Sequence, residues 1–242
     1  MAHPDQYNRT IMSSTSPPFP FIVLTTLPLG ERDSLLRVVE PRGGTLSVVL
    51  RGARGLPGAS GANPARRRNP GNASWRTLDL FDRAHGTLRS LRSGLPTIAQ
   101  CERLPGFRLL REDLTKFAAA NLFAEAVLSL FDEQSENGSS LFGIVENTLT
   151  AIDSAPCPRR ALGEVTMGLV ALLTLSGFGF SASRHRHYAD ATSTGIQQTP
   201  TVVPTPRLLR EAIGSIEDAR GRALRSAATL IAMVRKIHRL ED

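Results

Sequence analysis

Phe21-Ile22-Val23-Leu24-Thr25-Thr26, Leu35-Leu36-Arg37-Val38-Val39-Glu40 and Leu46-Ser47-Val48-Val49-Leu50-Arg51 follow one another between residues 21 and 51. Each run is short and rich in β-branched or large apolar residues. They are separated by Pro28-Leu29-Gly30-Glu31 and Pro41-Arg42-Gly43-Gly44, which carry turn chemistry, so they are read as strands joined by hairpins. Downstream, Thr77–Phe81 alternates apolar and polar, and Thr87–Arg92 and Thr97–Leu104 are further extended segments. About six short strands are too few for two full sheets, and a small five-stranded barrel is the economical closure. Within this β region, residues 52–74 are a Gly/Pro/Ala/Arg stretch without apolar periodicity, including Arg66, Arg67 and Arg68, and are expected to form a flexible loop.

From Leu109 the apolar period changes from 2 to about 3.5. Leu110, Leu114, Phe117, Ala124, Leu128 and Phe131 recur at helical spacing, which predicts one helix ending before Glu136-Asn137-Gly138. Leu141–Ile152 is a second helix. Arg160–Ser176 is a third, apolar almost all round and therefore expected at the centre of a bundle. Residues 181–206 are polar and without period, a loop. Pro206–Ile216 and Glu217–Arg239 close the chain as helices, the latter with Leu224, Ala228, Ile231 and Val234 turned inward. The fold class is α+β, all-β then all-α. Residues 1–18 are expected to be a disordered leader, 19–106 the barrel, and 107–242 the helical domain.

Charge points to a partner. The net charge is +7 and the pI about 10.6. A globular chain this basic commonly meets a polyanion. Arginines number 27 against two lysines, Lys116 and Lys236; Arg suits phosphate, but so lopsided a ratio is read first as the mark of a GC-rich genome. Residues 1–110 hold 15 Arg against 7 acids, whereas residues 111–200 hold 6 cations against 10 acids. The polyanion site is therefore expected in the first half. Cys101 and Cys157 lie in no CxxC or Cys/His cluster, so they make neither a disulfide scaffold nor a zinc site. No secretory signal is visible at the N-terminus, and the apolar run around Met167–Leu175 is too short to span a bilayer. A soluble, cytoplasmic protein is expected.

Residues for covalent chemistry are missing. There is no GxSxG, HExxH or GxxxxGK[ST] pattern. His185 and His187 offer at most part of a metal site and are read as a solvated basic loop. Glu31 and Asp33 are read as surface partners of Arg32 and Arg37 rather than paired catalytic carboxylates. No catalytic residue, metal or cofactor is expected. The remaining signal is the basic β region: Arg32, Arg37, Arg51, Arg54, Arg66, Arg67 and Arg68 sit near strand ends and loops, where neutralising phosphates would give salt-sensitive, sequence-independent affinity. Aromatics for base stacking are scarce, with Phe21, Trp75 and Tyr7 the candidates.

The order of motifs adds a resemblance. Ile22-Val23-Leu24 leads through Leu29-Gly30-Glu31-Arg32-Asp33-Ser34 to Gly43-Gly44-Thr45-Leu46-Ser47-Val48-Val49 and then Leu50-Arg51-Gly52-Ala53-Arg54. This series resembles the opening of RecO, the bacterial recombination-mediator family. Phe107–Leu114, followed by Phe123-Ala124-Glu125, is similar to the start of that family's helical domain, and Leu172–Phe178 (LLTLSGF) to its "GF" element. The resemblance implies an N-terminal OB fold and a helical C-terminal domain. It also implies binding of single- and double-stranded DNA, strand annealing, and loading of RecA in partnership with RecR and single-strand-binding protein, with no membrane partner. The family's four-cysteine zinc module does not carry over, because residues 181–205 contain no cysteine. Two other readings stay open: a generic OB-fold binder of single-stranded DNA or RNA, and a helical adaptor whose positive charge is incidental.

Overall fold

The computed structural model describes residues 16–53, 78–89, 94–133, 137–178 and 206–239, the side chains of the last helix through Val234. Five strands, β1 (Phe19–Leu29), β2 (Asp33–Glu40), β3 (Gly44–Leu50), β4 (Arg83–Arg89) and β5 (Thr97–Arg103), close into a barrel in the order β1-β2-β3-β5-β4. All neighbours are antiparallel except β3 and β5, which meet in parallel at Val49 and Thr97. This five-stranded order, closing on the short β3–β5 contact, is the arrangement of an OB fold. Helices follow: a 3-10 turn at Leu109–Arg111, then α1 (Leu114–Leu130), α2 (Gly138–Ser154), α3 (Pro158–Leu175), α4 (Pro206–Arg220) and α5 (Arg225–Arg239). The expected α+β class, barrel then helices, is what the chain adopts.

Strand β1 is longer than the sequence suggested and runs through Pro28. Proline lacks the N–H of a ladder bond. Here that costs nothing, because β1 pairs with β4 only over Phe19–Ile22 and its far end has β2 alone as neighbour. Thr77–Phe81 is not a strand in its described part, residues 78–81. The Asp82 carboxylate accepts the Asp79 N–H at 2.8 Å, and the Asp82 N–H bonds the Asp79 carbonyl at 3.0 Å. Phe81 is driven to φ +63° in that turn, which alternation alone cannot foresee.

The barrel interior is packed by Phe21, Val23, Leu36, Val38, Val48 and Leu88 among others. A second core lies between barrel and helices. Ile22, Leu24 and Val39 leave the outer barrel surface to join Phe123, Val145 and Leu169 of the bundle. A bulge sets this up: the β1–β2 register shifts between Val23 and Thr25, so both Leu24 and Thr25 stand opposite Arg37. Leu24 is thereby aimed at the helices, with 2% of its surface exposed. Full burial of such a side chain is worth about 2 kcal/mol.

The bundle departs from the sequence reading in two places. Helix α1 begins only at Leu114, because the Asp113 carboxylate caps it by accepting Thr115 and Lys116 N–H at 2.7 and 3.0 Å. The chain breaks again at residues 221–224, with Gly221 at φ +64°. Helix α5 therefore starts in a different phase: Ala227, Leu230 and Val234 are buried, while Ala228 is exposed. Helix α3 is central as expected, packing on α1, α2 and α4.

Candidate nucleic-acid interface

Direct cross-strand partners point to the same side of a sheet. Leu36, Val38 and Val48 fill the barrel, so the alternate residues Leu35, Arg37, Ser47 and Val49 lie on its outer surface. The register sets them in rows. Thr25, Arg37 and Ser47 form one, and Leu27, Leu35 and Val49 the next. The row on the other side, Ile22, Val39 and Thr45, is covered by the helical domain, where the Thr45 hydroxyl donates to the Phe131 carbonyl at 3.2 Å. The helices thus cover one end of the β1–β2–β3 outer face and leave Arg37 and the Leu27 row beyond them.

Arg37 is half-buried over this face, and its Nε has no hydrogen-bond partner. Arg32 lies exposed in the β1–β2 turn and Arg51 exposed just past β3. These two turns are tied together, since the Gly52 N–H donates to the Asp33 carboxylate at 2.9 Å. The sequence therefore brings Arg32, Arg37 and Arg51 to one side of the barrel. Arg54, Arg66, Arg67 and Arg68 lie outside the described residues, as do Tyr7 and Trp75.

Neither Glu31 nor Asp33 forms the expected ion pair. Among the described residues no carboxylate pairs with Arg32, Arg37 or Arg51. Asp33 is occupied by Gly52, and the buried Glu40 carboxylate accepts the N–H groups of Arg42 and Gly43. A backbone donor has thus taken Asp33, one of the two acids that the sequence assigned to Arg32 and Arg37. Phe21 is likewise no stacking residue: it is buried inside the barrel against Gly86. Arg42 lies over Phe19, its guanidinium carbon 5.6 Å from the ring centroid. Arg222, in the break before α5, and Arg225, its first residue, are also exposed and have no ion pair among the described residues, although the Glu125 carboxylate sits at the backbone N–H groups of Arg225 and Ser226.

Other arginines behave differently. Arg103 and Arg111 both donate to Oδ1 of the buried Asp82, at 2.6 and 2.8 Å, and Arg111 also reaches the Leu80 carbonyl. Arg83 pairs with Glu146 on α2 and stacks on Phe107 at 5.7 Å. These cations hold barrel and helices together and are neutralised where they stand. Lys116, buried, donates to the Asp153 carbonyl at 2.8 Å at the end of α2. This cluster was not legible in the sequence, because its partners lie far apart along the chain.

Among the described residues no group of three or more His, Cys, Asp or Glu could hold a metal ion, and no helix is long and apolar enough to cross a membrane. Burial, then the charges of Asp82 and Glu102, push the Cys101 thiol up to about 11, so it stays protonated at neutral pH. The outer barrel face can attract anions and exclude water from apolar groups laid on it.

No family model matches the chain. It is 30% identical over 159 residues to DNA repair protein RecO of Synechococcus sp. (strain JA-2-3B'a(2-13)), a match that takes in 65% of this chain and 53% of that protein. The chain therefore spans about half the length of the curated relative it matches. The likeness supports the resemblance carried by the motifs from Ile22 to Phe178.

Proposed function

We propose, proceeding from that likeness to RecO, that this protein is a non-enzymatic recombination mediator of DNA repair. It binds single- and double-stranded DNA on the outer barrel face, promotes strand annealing, and assists RecA loading together with RecR and single-strand-binding protein in the cytoplasm. The observation that carries the DNA-binding part is the set Arg32, Arg37 and Arg51: three arginines on one side of an OB barrel with no carboxylate paired to them among the described residues. Strands 2 and 3 and the adjoining loops are where OB folds usually take oligonucleotides. The scarcity of aromatics there favours phosphate contacts over base readout.

Affinity for a single-stranded oligonucleotide, measured by fluorescence anisotropy, should fall steeply between about 50 and 200 mM salt. Arg37→Ala with Arg51→Ala should reduce the salt slope by about 2, one for each lost phosphate contact. An unchanged slope would move the site to Arg222 and Arg225. Annealing of complementary strands separates a mediator from a generic OB-fold binder, and DNA binding absent even at low salt would favour the helical adaptor.

A further inference from the structure

Strand β1 outruns β4. Its pairing with β4 covers Phe19–Ile22, after which the Val23 N–H donates to the Asp82 carbonyl at 3.0 Å and the Val23 carbonyl accepts the Phe81 N–H at 2.8 Å. From Thr25 to Leu29 the strand has β2 alone as a neighbour among the described residues. The edge left open there, Thr25-Thr26-Leu27-Pro28-Leu29, carries no charged residue. Leu27 is 49% exposed and Leu29 40%. An uncharged, apolar edge of this kind is a template for another strand. One residue in it works the other way. The register with β2 runs unbroken through Pro28 to Leu29 opposite Asp33, which a proline permits only where its nitrogen faces away from the neighbouring strand. Backbone groups alternate sides along a strand, so the Thr26 N–H and carbonyl face the open edge. Position 28 is the next that should offer a donor there, and proline has none.

We infer that Pro28 is a guard residue, which denies the open edge of β1 to the same edge of a second copy of this chain. With two such edges set antiparallel about Leu27, Thr26 of each copy stands opposite residue 28 of the other, a pair that would exchange both N–H···O bonds. Leu27 meets its own counterpart at the close spacing of a pair without hydrogen bonds, about 4.5 Å between Cα atoms. With proline at 28, each exchange loses one of its bonds, and the Thr26 carbonyl is turned on a ring that cannot donate. The leucine contact is left without the ladder that would hold it. The unpaired edge also keeps the flank of the barrel that carries Leu35 and Arg37 uncovered. This inference stands apart from the DNA-binding reading.

The test is sedimentation velocity of the full-length chain over a range of concentrations, with circular dichroism to report the fold. Pro28→Val restores the missing donor on a strand-forming residue and should tighten self-association at least about tenfold relative to the parent. Pro28→Thr, a more polar strand former, should act in the same sense. Adding Leu27→Asp to Pro28→Val sets like charges opposite each other at the centre of the pair and should return the mass to the parent's. The inference is overturned if folded Pro28→Val and Pro28→Thr sediment as the parent does, or if Leu27→Asp fails to reverse their association. It is equally overturned if Leu27→Asp dissociates the parent itself, since the edge would then pair despite Pro28. Variants that associate only as their circular dichroism is lost also overturn it, because unfolding rather than edge pairing would be the cause.

Discussion

Two sets of arginines in this molecule meet opposite fates. At the junction between barrel and helices, Arg83, Arg103 and Arg111 are met by Glu146 and Asp82. On the outer barrel face, Arg32, Arg37 and Arg51 are met by no carboxylate among the described residues. The residue type is the same and the surroundings decide its work. A guanidinium beside a buried carboxylate is a fastener, whereas one left unpaired on that face is available to an outside anion. Net charge cannot separate these cases, since it counts both equally.

If this contrast is real, substitutions at the junction should damage stability and spare DNA binding, and substitutions on the face should do the reverse. The largest expected effect is at Gly138, where an added Cβ would lie 2.6 Å from the Gly44 nitrogen and 2.9 Å from that of Gly43. Both are backbone atoms of the β2–β3 turn and cannot swing aside. Gly138→Ala should cost about 3 kcal/mol, the upper range for overpacking, read as a lower urea midpoint. Asp82→Asn removes the charge that Arg103 and Arg111 share. Breaking a fully buried pair costs about 3–5 kcal/mol. Both arginines are more than a third exposed, however, and remain hydrated, so about 2 kcal/mol is expected here. DNA affinity of the folded variant should stay within about twofold of the parent's.

On the face, Arg37→Ala with Arg51→Ala should move the urea midpoint by less than about 0.5 kcal/mol equivalent while cutting DNA affinity as set out above. A double variant that unfolds early would show that these residues fasten the barrel after all, and the contrast would fail. The smallest effect is chemical. With its thiol raised to about 11, Cys101 has a thiolate fraction of about one in a thousand at pH 8. A thiol reagent should modify the exposed Cys157 first and leave Cys101 until the protein unfolds. Equal labelling of both in the native protein would show that the β4–β5 side of the barrel opens readily.

The sequence made the barrel's first three strands legible because hydrophobic runs alternate with turn residues over a short span. It misplaced what tertiary partners decide. Thr77–Phe81 alternates like a strand, yet Asp82 turns it by bonding Asp79. The period around Leu109–Phe131 reads as one helix, and only the Asp113 cap reveals the later start. Arg37 and Arg51 were legible as candidates by position near strand ends. Of the expected partners of Arg32 and Arg37, Glu31 and Asp33, the latter is taken by a backbone donor from the next turn, the Gly52 N–H.

The Glu125 cap on α5 bears on the order of events during synthesis. Its two carboxylate oxygens each accept a backbone N–H at 2.8 Å, from Arg225 and Ser226, a hundred residues later in the chain. The barrel has all its strands once Arg103 is made, and α1, α2 and α3 are complete by Leu175. Yet the face of α1 that α5 covers has no lid until the ribosome has passed residue 225. A nascent chain paused before that point carries a finished barrel beside an open apolar bundle, the kind of intermediate that chaperones shield.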